Sequence, residues 1–521
     1  MRNAPYYLIL LLAILMLLTP FVDGVLFKQI FTERVAMYQK QLQDDPEVKL
    51  SVVEYNLGWI KSTAKVSITY THVSKRGYQI PPVVVFIDSV IHHGPLIYAN
   101  EKFNIGYAQV DSSLHLPEML QGMFSDDGQG FLHVTSLVST DGKTWNSHYQ
   151  IPQMSSSNLV KWDGLSGDVV ITMANDTPVK IDGTMTMGQL TMSYFPQAPK
   201  MPAFGIAPIV YEASATRDAD QLWSSNSKIT GTGFAVRWQD GRTITATNFM
   251  ALSKYGVSNS LYNVDVQLSL DSLQLTPDYP ITSISNFKYD FAVNNLDATG
   301  LRDYQKIFRS GGSLPSNEEL ISRALKILTA TTGVNLILSF NTNLGPSKAD
   351  VKLSLQSVPK NSDEFLANLN CDLNARFAGP FLEKIFNFYM KQQMAKVMDG
   401  MSLNDDPAVV QAAPGMPDVA AMTKKLIDSM VEQGFLVRAD NDYVVAFSKK
   451  GKVLILNGKN VTDQMEKMMG QLLHPEMPPA APPSAAPATT TTTTDAPATN
   501  TAAPATTTTT TTAAPASGAS H

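Results

Sequence analysis

The sequence predicts an α+β, β-dominated fold: one N-terminal transmembrane helix, then a long, largely antiparallel sheet with a few packing helices and a disordered C-terminal tail. Three observations predict it: an apolar run at the start, period-two alternation through the middle, and a collapse to Pro, Ala and Thr at the end. Tyr6 to Val22 read YYLILLLAILMLLTPFV, with Arg2 before them and Lys28 and Arg34 after them. A spanning helix needs about 20 predominantly apolar residues. Val25, Leu26 and Phe27 complete that length after an interruption at Asp23 and Gly24. Residues 1–27 are therefore expected to be a retained signal anchor. Val22-Asp23-Gly24 loosely fits a small-x-small cleavage rule, which leaves removal after Gly24 as the alternative. Ile30, Phe31, Val35 and Tyr38 carry the helical pattern on toward Gln43. Lys and Arg flank the run on both sides, so charge alone gives no orientation.

Residues 28–473 are expected to form the body. Val66 to Tyr70, Thr184 to Met192, Val264 to Leu270 and Val351 to Leu355 all alternate apolar with polar residues. One apolar and one hydroxylated face per strand is the pattern of an antiparallel sheet covered on one side. Asp141-Gly142 and Asp240-Gly241 each separate two such runs and predict tight hairpins, because Asp-Gly supplies the positive φ the turn needs.

Helices are expected late. Ser316 to Glu319 resembles a capping box that opens a helix to about Thr331. Pro380 starts another, with Leu382, Ile385, Phe386, Tyr389, Met390, Met394, Val397 and Met398 at steps of three and four. A linker over 412–417 precedes a helix from Val419 to Gln433, and a small strand meander closes the body through Lys459. Residues 474–521, with runs at Thr489–Thr494 and Thr506–Thr512, cannot bury enough apolar surface to offset chain entropy. They are expected to be a disordered spacer, whether glycosylated, wall-threading or passive.

The search for chemistry yields no catalytic, cofactor-binding or metal residues. His92 and His93 are adjacent, so on a strand they face opposite ways and cannot share an ion; a turn or packing role at His93-Gly94-Pro95 fits better. Asp141 to Thr144 lacks the upstream glycine of a phosphate loop, and Gly231-Thr232-Gly233 lacks the third glycine of a dinucleotide loop. Ser62 to Lys65 and Ser225 to Lys228 match Ser-x-x-Lys without its companion motifs. A net charge of −6, with a short basic cluster at Lys449 to Lys452, argues against nucleic acid. The single cysteine, Cys371, permits no intramolecular disulfide; that suits an exported chain, though a cytosolic chain can also be cysteine-poor.

Several segments are similar, in order, to one family. His93-Gly94-Pro95 after Asp88-Ser89-Val90, Tyr55 to Ser62, and Lys450 to Lys459 resemble elements of the YdgA family (DUF945) of bacterial envelope proteins. The resemblance implies an inner-membrane anchor, a body in the periplasm of a Gram-negative cell, and self-association. It supplies no activity. The expected role is a non-enzymatic binding protein for lipid or another apolar ligand, with a self-associating structural module as the alternative.

Overall fold

The computed structural model describes residues 4–41, 47–71, 82–117, 130–156, 159–175, 177–194, 201–218, 221–276, 279–309, 316–401 and 418–464, with the side chains of 4–18 and 395–401 among those outside the description. Strand makes up 58% of the structure, so the β-dominated class holds. Helix α1 (Ala4–Gln41) leads the chain. Among the described residues no helix is long and apolar enough to cross a membrane. Most of the expected span lies in the side chains of 6–18, outside that description.

From Val48–Asn56 to Lys459–Asn460 the chain runs mainly as a meander, in one 24-stranded antiparallel sheet, with Leu96–Ala99 and Lys102–Ile105 as a separate pair. Hairpin connections allow such order, since sequential antiparallel strands need only short turns. Gly142 (φ 71°) closes Leu132–Val138 onto Thr144–Ile151, and Gly241 (φ 88°) closes Trp223–Arg237 onto Thr243–Ser258. In each turn the Asp carboxylate accepts a backbone N–H two residues on, from Lys143 at 3.0 Å and Arg242 at 3.1 Å. Both expected hairpins form.

The alternation over Thr184 to Met192 does not make one strand. It breaks at Gly188-Gln189 into Thr177–Met187 and Leu190–Met192. Neighbouring strands are interrupted at the same level, at Pro152, Gly164 and Pro208. The result is a corner crossing several strands. Gly188 N–H donates to the Gly164 carbonyl at 2.7 Å, and Ala207 N–H to the Gly233 carbonyl at 2.9 Å. A Cβ on Gly164 would stand 2.3 Å from the Ile151 carbonyl oxygen, and one on Gly188 2.7 Å from Asp163 Cβ. Glycine thus lets the strands approach at the bend, and Gly233 serves this corner in place of a dinucleotide loop.

Two helices escaped the periodicity: α2 (Ala298–Arg309) and, after α3, the short α4 (Ser362–Asn368). The capping box holds in its first half. Ser316 Oγ accepts the Glu319 N–H at 3.3 Å and opens α3 (Asn317–Leu325). That helix stops short of Thr331 because the Thr329 and Thr332 hydroxyls donate to the Asn295 carbonyl, at 2.7 and 2.9 Å, an alternative to helical pairing. Helices α5 (Gly379–Met401) and α6 (Val419–Glu432) fall where expected. The 412–417 linker and the Thr-rich tail lie outside the described residues.

Candidate apolar binding face

Directly paired residues on antiparallel neighbours share one face of a sheet. One row can be followed across almost the whole meander. It starts at Ile91 and passes Val110, Ser136, Ser147, Val169, Gly183 and Ala213. It continues through Ser227, Ser253, Val266, Phe291, Leu336, Val351, Leu373 and Phe447. A parallel row two residues along carries Leu268, Tyr289, Leu338, Ala349, Ala375 and Val445. Between them, on the opposite face, stand Gln267, Asp290, Ile337, Asp350 and Asn374. The distal half of the sheet is therefore apolar on one side and polar on the other.

Helices cover this apolar face at its two ends. At the first end, Phe27 of α1 is buried with Ala64, Ile91 and Ala108. At the other, Leu382 and Phe386 of α5 and Ile427, Met430 and Val431 of α6 pack on Tyr443 and Val445. Phe381 meets Phe340 edge-on at 5.4 Å. Helix α2 reaches only the rim, where Leu301 joins Tyr262 and Val264. Between these covers, Val266, Phe291, Leu336, Val351, Leu268, Tyr289, Leu338 and Ala349 are all incompletely buried, and Leu268 is 39% exposed. Full burial of a Leu, Val or Phe side chain is worth about 1.5–3 kcal/mol, so this bed leaves on the order of several kcal/mol for whatever covers it.

The motif His93-Gly94-Pro95 forms the socket for α1. His93 is 1% exposed, and its Nε2 lies 2.8 Å from Ser62 Oγ. Ser62 Oγ also accepts the Gly58 N–H at 3.2 Å. Gly24 of α1 sits directly on the imidazole, since a Cβ there would be 2.9 Å from Nε2. Tyr107 donates its hydroxyl to the Asp23 carbonyl at 3.3 Å, and its phenol is pushed up to about 12, mainly by burial. Burial also lowers the His93 pKa, with the neighbouring His92 adding to it. His92 points to the other face, toward Asp111 at 3.7 Å, as adjacent strand residues must.

Ser62 and His93 are thus a buried pair that sequence spacing of 31 residues does not reveal. Among the described residues His93 Nδ1 has no hydrogen-bond partner, so none of them orients the ring as the third member of a triad would. Lys65, the other end of the Ser-x-x-Lys match, points away to Asp88 at 3.5 Å. Ser225 pairs with Tyr255 inside the sheet. Lys450 to Lys452 turn the hairpin between Asp442–Lys450 and Val453–Leu456.

Fold and face together define a class: a single extended antiparallel sheet, clamped by helices at both ends of one apolar face, with an incompletely covered bed between. The chain belongs to the bacterial proteins of unknown function grouped as DUF945, whose family pattern matches residues 6–464. No curated protein matches it.

Proposed function

We propose that this protein is a non-enzymatic, membrane-anchored envelope protein that binds the acyl part of a lipid on its apolar face. The incompletely covered bed between α1 and α5 carries the reading. Large contiguous apolar surface on a folded protein marks a partner or a ligand, and a bed many strands long suits an extended chain better than a compact solute. The same bed would also serve a second copy of the chain, the alternative of a self-associating module. Sedimentation equilibrium in neutral detergent separates the two, because only the alternative requires a dimer when lipid is absent.

The anchor reading rests on α1. Asp23, Gly24 and Phe27 all make contacts with the body, so removal after Gly24 would strip part of the socket's occupant. The Phe21 ring lies tilted against Trp59 at 5.3 Å, and Trp59 and Ile60 are 46% and 64% exposed at the point where α1 leaves the sheet. Trp is favoured at a membrane interface, and these side chains would sit at that level with the body in the periplasm. The chain in cells is expected to keep its full N-terminus, read as an unshifted mass on immunoblots, and to float with liposomes after extraction.

Native mass spectrometry of the full chain, purified in mild detergent, tests the ligand. Lipid adducts are expected on the natural protein. Leu338→Glu should remove most of them while circular dichroism is unchanged, since burying a charge against acyl chains is prohibitive. A folded chain that carries no lipid and takes up none would sink the proposal.

A further inference from the structure

A groove of about 780 Å³ opens where α5, α6 and Tyr279-Pro280 meet. Its floor includes Tyr443, which stands on the apolar face in the row of Phe377 and Ser347. Its walls carry Lys384, Lys391, Lys424 and Arg438 against Glu383 and Asp428, four cations to two carboxylates. Both carboxylates are engaged: Glu383 accepts the Tyr443 hydroxyl at 3.0 Å, and Asp428 accepts from Arg438 at 3.2 Å. Arg438 and Asp428 cancel, while the Tyr443 hydroxyl is neutral and leaves Glu383 its charge, so the three lysines keep a net excess of two positive charges in the groove. Thr423, also in the lining, is 3% exposed, and among the described residues its hydroxyl has no hydrogen-bond partner. A buried hydroxyl without a partner is costly, and Thr423 lines the same groove as the lysines, where an anionic oxygen would supply that partner.

We propose that this groove seats a phosphate-bearing anionic head group, with the acyl part of the same molecule lying on the adjoining apolar bed. The inference rests on the lipid-binding reading and names the lipid class: a phospholipid with net negative charge. Geometry links the two halves, since Phe381 on α5 touches Phe340, two residues along the strand from Leu338 of the bed, and Lys384 follows within one helical turn. Charge complementarity selects the anion, and the Thr423 hydroxyl supplies a donor.

The test uses the full chain in neutral detergent, with phosphatidylglycerol, phosphatidylcholine or sn-glycerol 3-phosphate added and adducts counted by native mass spectrometry. Phosphatidylglycerol is expected to bind about tenfold better than phosphatidylcholine, and K384E/K391E/K424E to erase that preference without weakening phosphatidylcholine. Thr423→Val, close in shape, should lower phosphatidylglycerol binding alone by about fivefold. Competition by glycerol phosphate would assign the site to the phosphate by itself; failure to compete would assign it to the tethered head group. Equal binding of both lipids in the natural protein, or a preference untouched by the lysine reversals, overturns the head-group site and leaves the apolar bed standing. Binding of neither lipid removes the bed as well.

Discussion

His93→Ala is expected to destabilise the α1-proximal end of the sheet by about 3 kcal/mol, read from urea unfolding of the full chain in nonionic detergent. Two effects add. Removing a fully buried imidazole leaves a cavity beneath the helix, and large-to-small core changes cost about 2–5 kcal/mol. The Ser62 hydroxyl, bonded to His93 Nε2 at 2.8 Å, also loses a partner at a buried site, worth about 1–3 kcal/mol. Ser62→Ala alone should cost less, because it leaves only a small void. The double replacement should cost less than the sum, since each single change already breaks the shared bond. Simple additivity would mean the pair does not act as a unit.

The same histidine sets an acid response. Burial lowers its folded pKa below the unfolded value of about 6.5. Between those two values the unfolded chain binds more protons, so stability rises with pH there. The contribution is complete above about pH 6.5 and is lost as pH falls toward the folded pKa. His92 is also lowered, by burial that outweighs Asp111, and acts in the same direction. Unfolding midpoints of the natural protein should fall on acidification from pH 7.5 to 5.5. In the His93→Ala protein the slope should shrink to the share left by His92.

Much of the architecture was legible in the chain because sheets write their faces into sequence with period two. Val264 to Leu270 and Val351 to Leu355 alternate, and the pairings place them on the apolar bed they imply. The Asp-Gly hairpins were legible because only a few residue types reach the backbone angles they need. What stayed hidden is long-range. Nothing near Ser62 announces His93, and nothing near Gly24 says that an imidazole lies against it. The corner at Gly164 and Gly188 was hidden for a related reason: Met185, Met187 and Met192 keep up the alternation on both sides of the break. Helix α3 ended early because threonine hydroxyls found a carbonyl on a strand about 35 residues back, at Asn295. The groove between α5 and α6 needed the packing of both helices, and its lysines read in sequence as ordinary solvated charge.

Gly24→Val is expected to release α1 from the body while leaving the helix intact, at a cost of about 3 kcal/mol in docking. A Cβ at this position would stand 2.9, 3.1 and 3.2 Å from Nε2, Cδ2 and Cε1 of His93. The ring cannot retreat, being buried and tied to Ser62. Overpacking of this kind costs about 1–3 kcal/mol, and lifting the helix also draws Phe27 from Ala64, Ile91 and Ala108, forfeiting about 1.5–3 kcal/mol more. Gly24→Ala separates the causes. Its Cβ meets the same ring and carries part of the same overpacking, which the about 1 kcal/mol of helix propensity alanine gains over glycine offsets only in part, so its cost should be well below that of Gly24→Val. Limited proteolysis reads the outcome: the natural protein and Gly24→Ala should resist cutting between residues 24 and 41, whereas Gly24→Val should be cut there and shed an otherwise folded body. Equal resistance in all three proteins would show that the close approach of Gly24 to His93 contributes nothing to holding the helix, and that Phe27 alone suffices.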